Sequence, residues 1–274
     1  MSHTVLVEKK ILRSKAGDMP MLVVRPETPV PGAPGILWIH GGGFATGMAS
    51  MVRVSRAWPL VKKYGAVVVS PAYRLSATAP YPAALEDCYR ALLYLKNHAR
   101  DLGCNPDQLM VGGESAGGGL TAALCMLARD RGRVKIAFQM PLYPMLDDRD
   151  TASSRANYRL PWNTAFNHGA WKLYLRGQKE TPVYGAPARQ TDYQNLPPAY
   201  TFVGDKEPFY CETLQYVKDL KAAGVPAEVD VYPTGIHAFD MLLPFLPMSC
   251  QAARAFEKAY LYACKHYYAP QKGT

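Results

Sequence analysis

Short apolar runs alternate with stretches of helical spacing along almost the whole chain, and the alternation predicts the fold before any composition is considered. Val5-Leu6-Val7 and Met21-Leu22-Val23-Val24 are extended segments flanking Ala16-Gly17-Asp18, a hairpin-like opening that would form the antiparallel edge of a sheet. Gly35-Ile36-Leu37-Trp38-Ile39 is continuously apolar, as expected of a strand covered on both faces, and runs into His40-Gly41-Gly42-Gly43. Val52 to Tyr64 reads as a helix stopped by Gly65, and Ala66-Val67-Val68-Val69 as the next strand. From Ala83 to Arg100, Leu85, Cys88, Leu92 and Leu95 keep helical spacing; Leu109-Met110-Val111 is a strand, Leu120 to Ala128 a helix, and Ile136 to Met140 a strand again. Tyr200 to Val203, Phe209 to Ala223, Val229 to Tyr232 and Met248 to His266 continue as strand, helix, strand and helix. This order predicts an α/β fold with a mostly parallel central sheet and helices on both faces. Residues 147–196 break the rhythm with Asp147-Asp148-Arg149, several prolines and the aromatics Trp162, Phe166, Trp171 and Tyr174. The expectation is one domain over residues 1–274, with 147–196 as a cap or lid insertion.

Composition narrows the function classes. Hydrophobic residues at 49% and charged residues at 19% describe a globular chain with a sizeable core. The formal net charge is +9, but the basic residues are scattered. Their one dense group, Arg129, Arg131, Arg133 and Lys135, has no interleaved aromatics, so a solvated surface is expected and no nucleic-acid partner. Met1 to Lys10 lacks the apolar core of a secretory signal, and the apolar runs are too short to cross a bilayer. Six cysteines without a Cys-x-x-Cys pair read as reduced thiols of a cytoplasmic protein. Asp147-Asp148 has no histidine beside it, so no metal is expected and the pair reads as a loop or helix cap.

Gly113-Glu114-Ser115-Ala116-Gly117 places a serine between glycines, after a strand and before a helix. Such a turn exposes the hydroxyl at the top of a sheet, although a chain of this length contains the bare pattern by chance roughly one time in ten. Its context supplies partners. Strand ends in such a sheet point into one crevice. There the order Ser115, then the acidic cluster Asp205-Lys206-Glu207, then His237 supplies a nucleophile, an orienting acid and a base in sequence. The glycine run after His40 and the backbone N–H of Ala116 offer donors to an oxyanion, while His40 itself is expected to brace that loop.

Four motifs in one order carry a resemblance over nearly the whole chain: His40-Gly41-Gly42-Gly43-Phe44, then Tyr73-Arg74-Leu75 with Pro80 to Asp87, then Gly113 to Gly118, and His237-Ala238-Phe239. They resemble the hormone-sensitive-lipase-type esterases, the α/β-hydrolase fold-3 group. The resemblance implies Ser115 as nucleophile, His237 as general base, and Gly42, Gly43 and Ala116 as oxyanion-hole donors. It places Glu207 at the acid, where the family pattern has aspartate, and leaves Asp205 as the alternative. The N-terminus is shorter than the family's capping helices, so the site is expected to be covered mainly by residues 147–196 or to be left more open. Trp162, Phe166 and Phe209 are assigned to the substrate wall, with plain core packing as the alternative for the insertion's aromatics. The implied function is hydrolysis of short-chain, acetyl-like esters through an acyl-enzyme. No cofactor is required, the partner is a small-molecule ester, and a homo-oligomer is left open. Carbohydrate deacetylation with the same triad and a non-catalytic small-molecule receptor are the alternatives.

Overall fold

Every residue of Pro34–Ile39 (β3) and of Val67–Pro71 (β4) is buried, so these apolar runs can only be the middle of a sheet with both faces covered. The computed structural model describes residues 2–13 and 17–271, leaving Ala16 of the expected opening turn outside the described residues. Val5–Leu12 (β1) and Met19–Pro26 (β2) form the antiparallel edge. Asn105–Glu114 (β5), Phe138–Leu142 (β6), Ala199–Gly204 (β7) and Ala227–Tyr232 (β8) complete eight strands in the order β1-β2-β4-β3-β5-β6-β7-β8. From β4 to β8 all neighbours are parallel.

Helices cover both faces. Ala83–Asn97 (α2), Ala116–Arg131 (α3) and Tyr210–Ala222 (α5) pack with Leu37 and Ile39, while Ala57–Tyr64 (α1) and Pro247–His266 (α7) pack with Ile36 and Trp38. Successive residues of one strand thus serve opposite cores.

The boundaries depart from expectation at three informative places. Val52–Tyr64 is not one helix but a 3-10 turn, Ala49–Arg53, followed by α1. The Ser55 hydroxyl donates to Val52 O and accepts from Ala57 N, offering the backbone an alternative to the helical ladder. Strand β5 starts at Asn105 rather than Leu109 because its polar entry is held by other means: the Gln108 amide donates to the carbonyls of Cys264 and Tyr267. Helix α3 starts at Ala116, with three poor helix formers, Gly117 to Gly119, in its first turn. A Cβ on Gly117 would run into the carbonyl oxygen of Ile39, so close approach of helix to sheet outweighs propensity there.

Between β6 and β7 the ladder is thin. One pair, Gln139↔Ala199, is in register. Pro141 lies mid-strand and has no N–H to give. The strands are otherwise joined by Gln139 N to Pro198 O (2.9 Å), Tyr143 N to Phe202 O (3.0 Å) and the Thr201 hydroxyl to Pro141 O (2.5 Å).

Residues 147–196 contain one α-helix, Thr164–Tyr174 (α4), started by the Asn163 side chain, which accepts from Phe166 N. Asp148 at the start of the segment pairs with Arg189 near its end at 2.6 and 2.9 Å, and accepts from Thr181. Both ends are thereby drawn together. On its inner side, Trp171 and Tyr174 pack on Phe44, the residue after the glycine run, with ring separations of 5.4 and 4.0 Å. Among the described residues, no helix is long and apolar enough to cross a membrane.

Candidate active site

Strand β5 ends at Glu114 and α3 begins at Ala116, so Ser115 alone turns the chain from one to the other, with φ 58° and ψ −119°. Such a backbone costs about 1–3 kcal/mol for a residue with a Cβ and persists only when its surroundings impose it. They do: Ser115 N donates to Leu142 O, and Ser115 O accepts from Gly119 N and Met145 N. The expected elbow is therefore present, with its hydroxyl aimed into the crevice above the sheet.

His237 lies in the loop after β8, where the Thr234 hydroxyl accepts from Ile236 N. Its Nε2 is 2.8 Å from Ser115 Oγ, and its Nδ1 is hydrogen-bonded to Glu207 Oε2. Glu207 Oε1 accepts from Gly204 N at 2.9 Å, so the carboxylate folds back over the end of β7. Of the two candidate acids, Glu207 therefore touches the imidazole. Asp205 instead donates its backbone N–H to Tyr232 O, and its Oδ1 is buried without a hydrogen-bond partner among the described residues. All three groups are nearly sealed: Ser115 is 6%, His237 5% and Glu207 0% exposed.

The glycine loop passes beside the serine, close enough that a Cβ on Gly41 would stand 3.3 Å from Ser115 Cβ. Gly42 and Gly43 take φ of 112° and 58°, conformations that suit residues without a Cβ. Gly42 O accepts from Ala45 N and Thr46 N, which closes the loop into a turn. The backbone N–H groups of Gly42, Gly43 and Ala116 have no acceptor among the described residues. His40 braces the loop as expected. Its Nδ1 contacts Gly41 O, its ring stacks on Tyr73 at 4.2 Å, and the Tyr73 hydroxyl donates to His40 O. Burial holds the His40 pKa below the usual histidine range, so the ring is neutral at pH 7. Arg74 and Asp87 form a paired clamp below this loop, with 2.9 Å bonds from both Nε and Nη2.

The three expected wall residues occupy different places. The Trp162 ring lies over Gly43 and 6.4 Å from the His237 ring. Phe209 is wholly buried and meets His237 edge-on at 4.9 Å. Phe166 stands outside, half exposed, 6.0 Å from Trp162. Grooves of about 550 and 590 Å³ open elsewhere, lined by residues such as Ile136 and Tyr267 or Tyr200 and Tyr262, and neither is lined by Ser115 or His237.

Several groups around the site were given no role by the sequence. Tyr143, at φ 33°, presents its ring edge-on to His237 at 5.2 Å. Glu114 is buried directly before the serine and accepts from the Trp38 indole N–H with both oxygens at 2.9 Å. Burial and the neighbouring Asp240 push its pKa up to about 8. Asp240 is itself fully buried, in the short helix Phe239–Leu242 (α6) that follows His237, and Arg56 Nε stands 2.8 Å from its Oδ2. A lone acid within the apolar stretch Phe239-Asp240-Met241-Leu242 was the one sequence signal for this cluster.

Comparison with known proteins gives the family and the class of activity. A family model described as alpha/beta hydrolase fold matches residues 36–241. The chain is 34% identical over 224 residues to esterase LipI of Mycobacterium tuberculosis, covering 80% of this chain and 70% of that protein. It is 29% identical over 231 residues to an acetyl-hydrolase of Streptomyces hygroscopicus, covering 82% and 73%. Among solved structures, a bacterial heroin esterase superposes with a TM-score of 0.90 at 32% identity, covering 95% of this chain and 84% of that one.

Proposed function

Because the chain belongs to the hormone-sensitive-lipase-like α/β-hydrolase fold-3 family and is a carboxylic ester hydrolase, we propose that it cleaves short-chain acyl esters through an acyl-enzyme on Ser115. The observation that carries this reading is the continuous path from Ser115 Oγ through His237 to Glu207. Ser115 Oγ attacks the acyl carbon while His237 Nε2 takes its proton, and Glu207 holds the Nδ1–H tautomer and balances the imidazolium. The carbonyl oxygen becomes an oxyanion facing the N–H groups of Gly42, Gly43 and Ala116. On collapse the alkoxide leaves with the proton from Nε2. Water then repeats the sequence on the acyl-serine, releasing the acid and restoring the hydroxyl. This path favours turnover over a receptor role, which needs no proton relay.

The short-acyl reading rests on Trp162. Its indole fills the space over Gly43, where a Cβ would collide with it, and Ala170 lies 3.3 Å from the same point. Residues 147–196 then act as the lid of a single catalytic domain. The name acetyl-hydrolase, carried by the Streptomyces relative, points the same way. The free cysteines support a cytoplasmic location.

A fluorophosphonate probe should form a covalent adduct on the peptide carrying Ser115, and p-nitrophenyl acetate should be turned over faster than the longer homologues. Saturable binding of esters with neither adduct nor turnover would overturn the assignment. Trp162→Ala should raise the ratio of kcat/KM for hexanoate over acetate by about tenfold or more, the scale expected from opening a pocket to extra methylenes. An unchanged ratio would move the acyl site away from Trp162.

A further inference from the structure

Behind the reacting pair lies a buried charged cluster that the proposed chemistry does not use, and Arg56 is its centre. Its guanidinium reaches α6, with Nε 2.8 Å from Asp240 Oδ2 and Nη2 donating to the Asp240 carbonyl at 2.8 Å. Its charge and backbone also act to lower the Glu114 pKa against the larger effect of burial. Arg56 thus holds the position three after His237 and faces the side chain of the residue before Ser115 electrostatically. The rest of the cluster is Trp38 from β3, which donates to Glu114, and Tyr143 after β6, whose hydroxyl lies beside Asp240 and whose ring borders His237. Tyr73 and Glu207 also face it electrostatically.

The charge balance explains why an arginine is needed. Two carboxyls, 4% and 0% exposed, share one guanidinium whose side chain is 12% exposed. Burial raises both carboxyl pKa values, Glu114 to about 8, and the charge of Arg56 opposes the rise at Asp240, which it contacts. The bond to the Asp240 carbonyl fixes the backbone as well as the side chain. The Ser115–His237 contact joins residues 122 apart in sequence, and its two loops depend on contacts beneath them for their relative position.

We propose that Arg56 is a positioning residue for ester hydrolysis, tying the His237 loop through Asp240 to the Glu114 end of β5 so that His237 Nε2 stays in register with Ser115 Oγ. The proposal rests on the reading of Ser115 and His237 as the reacting pair. Displacing a catalytic group by about 1 Å can cost ~100-fold, whereas substrate contacts are untouched. Arg56→Met should therefore lower kcat about 10- to 100-fold with KM within about twofold, and Arg56→Lys should recover part of the loss. The low-field proton NMR signal of His237 Nδ1–H, read without substrate, should weaken or shift in Arg56→Met. That signal separates the two readings: a wild-type chain that shows it but turns over no ester sinks the esterase assignment, not the positioning role. Unchanged kcat and an unchanged signal, or a loss confined to the urea midpoint, would overturn the role of Arg56. If Arg56→Met does not fold, the isosteric Asp240→Asn decides by the same two readings.

Discussion

Ser115→Ala should lower kcat for p-nitrophenyl acetate by about 10⁶-fold while leaving KM within a few-fold. The size follows from what the hydroxyl does. It is the atom that bonds to the acyl carbon, and without it His237 has only water to activate. The methyl group fits the same space, and Ser115 contributes its backbone, not its hydroxyl, to the turn with Leu142, Gly119 and Met145. The variant should therefore fold with an unchanged circular dichroism spectrum and still bind substrate. Residual hydrolysis of about 10³-fold over water would come from the N–H groups of Gly42, Gly43 and Ala116. His237→Ala should cost about as much, and the double variant little more, because the two side chains act as one unit. Retention of even a hundredth of wild-type kcat in purified Ser115→Ala would remove Ser115 as nucleophile.

The second large effect separates the two acids. Glu207→Gln should lower kcat by about 10⁴-fold, because an amide can offer its N–H to Nδ1 and stabilise the wrong tautomer, leaving Nε2 protonated and unable to accept from Ser115. Asp205→Asn should stay within about threefold, since its carboxylate makes no bond to the imidazole. Measuring kcat for both on one acetate ester decides the matter. If the ranking is reversed, the acid is Asp205 and the bond between Glu207 and His237 is structural only.

The architecture was legible because its signal is local. Apolar runs such as Ile36 to Ile39 and Val67 to Val69, separated by helical spacing, demand a parallel sheet, and the order of serine, acid and histidine follows from where strands end. The choice between Glu207 and Asp205 was not local. It depends on how the Gly204 turn aims each side chain, and the turn brings Glu207 back over Gly204 N and onto His237 Nδ1. The break at Ser55 was hidden because a single hydroxyl competing for two backbone groups leaves no periodic trace. The cluster of Glu114, Asp240 and Arg56 was hidden for the opposite reason. The members of the cluster lie far apart in sequence: Trp38 is 76 residues from Glu114, and Arg56 is 184 from Asp240. Phe209, expected in the substrate wall, is wholly buried and meets the His237 ring edge-on, a contact that no sequence pattern announces.

Pro141 gives the molecule a fault line. Ser115 belongs to the half of the sheet ending in β6, while Glu207 and His237 belong to the half beginning with β7, and the two halves meet where one residue pair is in register. On either side the ladders hold five and six pairs. Regions with fewer ladder bonds open at lower free energy than the core around them. The bonds from Tyr143 N to Phe202 O and from the Thr201 hydroxyl to Pro141 O therefore carry the connection between the serine's half of the sheet and the half that holds its base.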